Sequence, residues 1–221
     1  MFEWEVVKAK PNPNPEAGWS EPSFPHDSLS LGDPAKSDNF LERMVWVRAV
    51  HLTDDPVLFG DEEPADALQG GIGNCSLIQA IASLAEFPGY LSSLFITKEI
   101  PADGKYTVRM YLPFGFENKD AEKAWGEVEI DDYLPCKPPA KEGVLTSAKP
   151  YSAKLANGNK LYIALLEKCF AKLSGSYQAL LGFDGKDALK ALTGCEETFN
   201  YTDIKTKDGG YYRHPEWQVT S

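Results

Sequence analysis

One cysteine stands in a setting that favours nucleophilic chemistry. Cys75 follows the glycine-rich stretch Gln69-Gly-Gly-Ile-Gly-Asn74 and precedes an apolar run. A thiol attacks carbonyl carbon as the thiolate, and the unpaired N–H groups of a helix N-terminus lower its pKa. Glycines let a substrate approach the backbone closely, and the Gln69 amide offers an N–H to a developing oxyanion. The pattern predicts a cysteine nucleophile with an oxyanion-stabilising glutamine.

The same spacing has a second interpretation. Free cysteines are among the most buried residue types, and an inert cysteine at the start of a buried helix also follows small residues. Spacing by itself leaves both interpretations open.

The element that positions Cys75 is predicted to be a helix. Apolar residues recur at helical spacing from 77 to 84, and Asn74 stands at the N-cap position. Residues 105–114 and 125–135 alternate apolar and polar side chains and predict two antiparallel strands.

Later in the chain, residues 160–175 predict a second amphipathic helix and residues 185–194 a third, with a long irregular loop at 136–159. We divide the chain into an extended or disordered lead-in (1–18), a core (19–195) and a linker (196–221).

Several of these segments resemble the calpain family. Residues 69–84, QGGIGNCSLIQAIASL, resemble its nucleophile motif, Gln-Gly-x-Leu-Gly-Asp-Cys-Trp-Leu-x-x-Ala-x-Ala-Ser-Leu. The segments WGEVEIDDYLP, ALLEKCFAKLSGSYQAL and ALTGC resemble later family motifs in the same order. The resemblance runs from about Phe24 to Cys195.

The resemblance implies an α+β, papain-like cysteine protease fold, here the mainly helical first half of the calpain catalytic core with a small antiparallel sheet. It implies a cysteine endopeptidase in which Cys75 attacks the peptide carbonyl and Gln69 forms the oxyanion hole. The implied partners are protein substrates or a histidine-bearing second half-domain.

Three departures from the family pattern affect this expectation. Ser76 stands where the family motif has a Trp, and Asn74 stands where it has an Asp. In the family, the catalytic His lies in a Gly-His-Ala-Tyr motif and the catalytic Asn in an Asn-Pro-Trp-Gly motif. Neither motif occurs in this sequence. We therefore expect a fragment or truncated form that lacks the His/Asn half. The alternative is a non-catalytic, calpain-like binding or regulatory protein.

His214 is the histidine whose spacing fits a papain-type enzyme. It lies 139 residues after Cys75, within the roughly 130–150 residues of that class. Its neighbours, Tyr-Arg-His-Pro-Glu-Trp, do not match the calpain motif, and only seven residues follow it. We expect a surface histidine, and we expect His26 and His51 to be structural or solvent-facing.

The resemblance also implies calcium as a candidate ligand, although no cofactor follows from the residues themselves. Asp66 matches one acidic calcium ligand of the family, with backbone carbonyls around residues 59–61, whereas Lys160 stands where a second acid is expected. A cation there opposes calcium. We expect Asp66 to be a relic ligand, most simply an exposed acid of a loop.

Composition excludes several classes of partner and setting. The net charge of −11, without a basic cluster, argues against nucleic acids and anionic membranes. No apolar run approaches the ~20 residues of a transmembrane helix. The four scattered cysteines argue against a disulfide scaffold. We expect a cytoplasmic protein.

Overall fold

A computed structural model describes residues 18–33, 44–112, 124–138 and 148–196, with the backbone of two short strands at 204–205 and 211–212. Most of the predicted lead-in and of the predicted linker lies outside the described residues, so both boundaries stay predictions. Within these ranges the helices are α1 (Ser28–Leu31), α2 (Cys75–Ala85), α3 (Tyr90–Leu94), α4 (Tyr162–Leu173) and α5 (Gly185–Thr193). The strands are β1 (Val45–Arg48), β2 (Lys105–Leu112), β3 (Ala124–Asp131), β4 (Tyr133–Lys137), β5 (Lys149–Pro150), β6 (Ile204–Lys205) and β7 (Tyr211–Tyr212).

The described strands form small antiparallel sheets. Strands β2 and β3 pair from Lys105 opposite Asp131 to Leu112 opposite Ala124. A second sheet has the order β1-β4-β5, and β6 pairs with β7. Alternate residues of β2 are buried, as the period of a half-buried strand requires.

Helix α4 forms the centre of the core. Every residue from Tyr162 to Ala171 is buried, including Glu167 and Lys168. A helix that is covered all round lies in a protein interior. Helix α4 packs on β3, while α2 packs on α5 and α3, and α5 packs on β2.

Two buried ion pairs fix the junction between β3 and β4. The Lys168 ammonium donates to the Asp131 carboxylate and, at 2.5 Å, to the Tyr133 carbonyl. The Arg48 guanidinium donates to Asp132 at 2.6 Å. Burial lowers the pKa of Lys168, and the neighbouring Asp131 opposes that shift. Strand β1, the β3–β4 corner and α4 are thereby held together.

The observed elements confirm much of the predicted architecture. The fold is α+β, with antiparallel β2 and β3 and with helices at the three predicted places. The segment 125–135 divides into two strands of different sheets, because the chain turns at Asp132. That the half is mainly helical stays a prediction. No helix in the described part of the chain is long and apolar enough to cross a membrane.

Candidate active site

Cys75 is the first residue of α2, and its side chain is exposed to solvent. The first N–H groups of a helix have no acceptor within the helix and point towards its N-terminal end. The thiol therefore stands at the polar, solvent-facing end of a helix whose far side is packed in the core. This position does not fit a buried, unreactive cysteine, and catalysis by Cys75 stays a prediction.

Gln69 is held by its own loop. Its Nε2 donates to the carbonyl of Ile72 at 2.5 Å, and the side chain is partly buried. A primary amide has two N–H groups, and this bond uses one of them. The side chain is fixed at the loop that precedes Cys75, and its oxyanion role stays a prediction.

The two glycines after Gln69 are required by a neighbouring segment of the protein itself. A Cβ on Gly70 would lie 1.7 Å from the Ser152 carbonyl oxygen, and one on Gly71 would lie 1.8 Å from the Tyr151 ring. Gly71 N–H also donates to the Tyr151 carbonyl at 2.7 Å. The sequence suggested approach by a substrate, whereas the close neighbour in the structure is the segment 151–152.

Asn74 occupies the N-cap position of α2, but its side chain makes no cap hydrogen bond. Its Nδ2 instead donates to Glu167 Oε1 at 2.7 Å. The other carboxylate oxygen of Glu167 accepts from the N–H of Ala153 at 2.7 Å. One buried carboxylate thus binds both the residue before Cys75 and the segment that packs on the glycines.

Sequence reasoning did not identify Glu167 as part of the site. Its sequence signal is an acid within the apolar run YIALLEKCF of a helix. A carboxylate in that position is buried and must find hydrogen-bond donors. Burial raises the pKa of Glu167 to about 7, against the opposing effect of the donors Ala153 and Asn74.

Asp66 is not an exposed loop acid, and that expectation was wrong. It is 2% exposed, and its carboxylate pairs with the Lys160 ammonium at 2.8 Å. The hydroxyl of Tyr162 donates to the same carboxylate at 2.7 Å. Burial and this hydrogen bond raise the pKa of Tyr162. The negative charge of Asp66 is therefore compensated by the Lys160 ammonium.

Of the two described histidines, His26 is exposed at the surface and His51 is buried. His26 stacks on Tyr133 with ring centroids 4.1 Å apart, and His51 is buried in a 3-10 turn, Ala49–His51. Desolvation, partial for His26 and stronger for the buried His51, lowers the pKa of both rings. Within the described residues neither ring hydrogen-bonds to Cys75, and His214 lies outside those residues.

Ser76 lines an open cleft between α2 and α5. The cleft has a volume of about 450 Å³, and its other lining residues include Gln79, Asp184 and Lys186. The backbone approaches closely here, since a Cβ on Gly185 would lie 3.1 Å from the Ser76 carbonyl oxygen. The small Ser76 side chain leaves this side of α2 open.

A family model and two curated plant proteins that match this chain are all described as calpain family or calpain-type cysteine proteases. A family model described as calpain family cysteine protease matches residues 19–213. The calpain-type cysteine protease ADL1 of Oryza sativa subsp. japonica is 35% identical over 188 residues, which cover 81% of this chain and 8% of that protein. The calpain-type cysteine protease DEK1 of Arabidopsis thaliana is 39% identical over 188 residues, 80% of this chain and 8% of its own length.

A mammalian relative shows the same relationship. Calpain-8 of Mus musculus is 31% identical over 197 residues, which cover 88% of this chain and 26% of the mouse protein. The chain therefore spans about a quarter of this relative and less than a tenth of the two plant proteins.

Proposed function

This chain belongs to the calpain family of cysteine proteases, and from that premise we propose that it supplies the nucleophile and oxyanion-binding half of a calpain-type endopeptidase core. The observation that carries the proposal is the exposed Cys75 at the N-terminus of α2, directly after a loop fixed by Gln69. The proposed substrates are peptide bonds of proteins.

The proposed chemistry is acyl transfer. The Cys75 sulfur attacks the peptide carbonyl carbon as a new C–S bond forms, and the carbonyl oxygen takes up negative charge beside the Gln69 amide. Collapse breaks the C–N bond, and the amine leaves with a proton. Water then hydrolyses the thioester, which releases a carboxylic acid and restores the thiol.

Both proton transfers need a group that these described residues do not place beside Cys75. An imidazole takes the thiol proton and gives it to the leaving amine, and an orienting side chain holds the ring. We propose that a histidine-bearing second half-domain supplies this ring, as the family resemblance implies. A reducing, cytoplasmic setting suits a chain with four scattered cysteines.

A second candidate function is binding or regulation without catalysis. It is favoured by Ser76, which lines an open cleft at the position where the family motif has a Trp. It is also favoured by the ion pair of Lys160 with Asp66. In this candidate the core is kept as a scaffold and Cys75 performs no acyl transfer.

A fluorogenic peptide assay separates the candidates. The chain is assayed alone and mixed with the histidine-bearing half of a related calpain, with Cys75→Ala and His214→Ala as matched variants. The proposal expects cleavage in the mixture that Cys75→Ala abolishes and His214→Ala retains. Absence of cleavage both by the chain alone and by the mixture favours the non-catalytic binding or regulatory function. Cleavage by the chain alone that is lost in both variants makes His214 the base and overturns the half-core proposal.

A further inference from the structure

The Lys160 ammonium lies in a cluster of three oxygen atoms. Its Nζ is 2.8 and 3.1 Å from the two carboxylate oxygens of Asp66 and 2.5 Å from the carbonyl oxygen of Asp61. A lysine ammonium has three N–H donors and no acceptor. Each donor therefore has one oxygen partner, and the hydrogen-bonding capacity of the cation is used in full.

The protein encloses this cation. Lys160 is 7% exposed and Asp66 is 2% exposed. The lysine stem runs along Gly60, where a Cβ would lie 2.9 Å from the lysine Cε. The Tyr162 hydroxyl donates to the same Asp66 oxygen that lies 2.8 Å from the ammonium. Removing one member of such a buried pair leaves the other charge uncompensated.

The cluster joins two distant parts of the chain next to the candidate active site. Val57 and Lys160 form a parallel bridge, with the Leu161 N–H donating to the Val57 carbonyl at 3.0 Å. On the other side of the cluster, the Leu68 N–H donates to the Asp66 carbonyl at 2.9 Å, and Gln69 is the next residue of the chain. The cation therefore anchors the start of the loop that leads to Cys75.

These residues do not fit calcium, the ion that the family resemblance implies here. Calcium takes six to eight oxygen ligands at about 2.3–2.6 Å. In this cluster the oxygens converge on a nitrogen that already carries a positive charge. Within the described residues no three or more His, Cys, Asp and Glu side chains converge on a position that could hold a metal ion.

We propose that the Lys160 ammonium is the built-in cation of the Asp61–Asp66 cluster, so that the chain orders the segment leading to Gln69 without calcium. The same side chain closes the cluster to metal ions. This inference does not depend on whether the half-core is catalytically competent, because it concerns the order of the loop.

The first experiment measures thermal unfolding of the 221-residue chain with calcium chloride, magnesium chloride or chelator. The proposal expects the unaltered chain to have the same melting temperature in all three solutions. It expects Lys160→Met to melt at a lower temperature, which calcium does not raise. Saturable calcium binding by the unaltered chain in calorimetry, lost in Asp66→Asn, would overturn it. An unchanged melting temperature in Lys160→Met would also overturn it.

The second experiment opens the cluster. Lys160→Glu removes the ammonium and brings the protein oxygens to about five, which waters complete to a calcium shell. We expect calorimetry to show calcium binding about tenfold or more tighter than in the unaltered chain, with little response to magnesium. The double variant Lys160→Glu/Asp66→Asn is the control and loses this binding. If Lys160→Glu remains folded by circular dichroism and binds calcium no better than the unaltered chain, the ammonium is not what closes the cluster.

Discussion

The side-chain amide of Asn74 donates to the carboxylate of Glu167 at 2.7 Å, and both residues are buried. This bond ties the residue before the candidate nucleophile to the middle of α4. The second oxygen of Glu167 holds Ala153. The position of the Cys75 loop therefore depends on one carboxylate in the protein core.

The first prediction concerns stability against pH. Burial raises the pKa of Glu167 from an ordinary 4.5 to about 7, so between these values the folded state holds a proton that the unfolded state releases. The stabilisation by Glu167 is complete below about pH 4.5 and is lost as the pH rises through about 7. Between these pH values the free energy of unfolding of the unaltered chain should fall by roughly 3 kcal/mol relative to that of Glu167→Gln.

Urea unfolding of both proteins at several pH values measures this difference. Comparison with Glu167→Gln cancels the titration of all other groups. Parallel stability curves for the two proteins between pH 4.5 and 7.5 would contradict the prediction.

The second prediction concerns thiol reactivity. Cys75 and Cys195 are exposed, whereas Cys136 and Cys169 are buried. Burial raises the pKa of the Cys169 thiol to about 12 and raises that of Cys136 as well. We expect Cys75, at a helix N-terminus, to react fastest with iodoacetamide near neutral pH.

Brief alkylation followed by peptide mapping tests this order, with Cys75→Ser as the control for peptide assignment. Labelling of Cys136 at a rate equal to that of Cys75 would contradict both the burial argument and the assignment of the nucleophile.

The third prediction concerns the glycine-rich loop. Gly70→Ala places a Cβ 1.7 Å from the backbone oxygen of Ser152, which cannot turn away as a side chain can. We expect a loss of about 2–3 kcal/mol in the free energy of unfolding. Gly126→Ala is the matched control, since its Cβ meets the flexible end of Leu112 at 3.2 Å.

Chemical denaturation of the two variants gives both values. Equal stability of Gly70→Ala and Gly126→Ala would mean that the segment 151–152 shifts freely, and the proposed packing of the loop would then be incorrect.

The fourth prediction concerns the ion pair in the core. Lys168→Met removes a fully buried ammonium and leaves Asp131 without its cation. Loss of one partner of a buried pair costs about 3–5 kcal/mol. The control, Lys105→Met, breaks a solvent-exposed pair with Glu129 and should cost less than about 1 kcal/mol.

Denaturant midpoints at pH 7 decide this prediction. A Lys168→Met variant as stable as Lys105→Met would contradict the prediction, and it would show that the N–H groups of Glu21 and Tyr133, which donate to Asp131 at 2.8 and 3.0 Å, suffice to hold the buried carboxylate.

Local features were predictable from the sequence because they depend on short-range patterns. Apolar residues at helical spacing predicted α2, with its start at or beside Cys75, and alternation predicted β2 and β3. The motif from residue 69 to 84 predicted the family, because its glycines, thiol and helix are adjacent in the chain. None of these inferences needed a contact between distant residues.

The supports of the site were decided by tertiary structure alone. Asn74 and Glu167 are 93 positions apart, and Asp66 and Lys160 are 94 apart. Periodicity reports which face of an element is buried, but it does not report which polar group meets another in the interior. A buried charge must find a partner. The family resemblance assigned Asp66 and Lys160 to one predicted calcium site, but only the folded chain shows that the two form a buried ion pair.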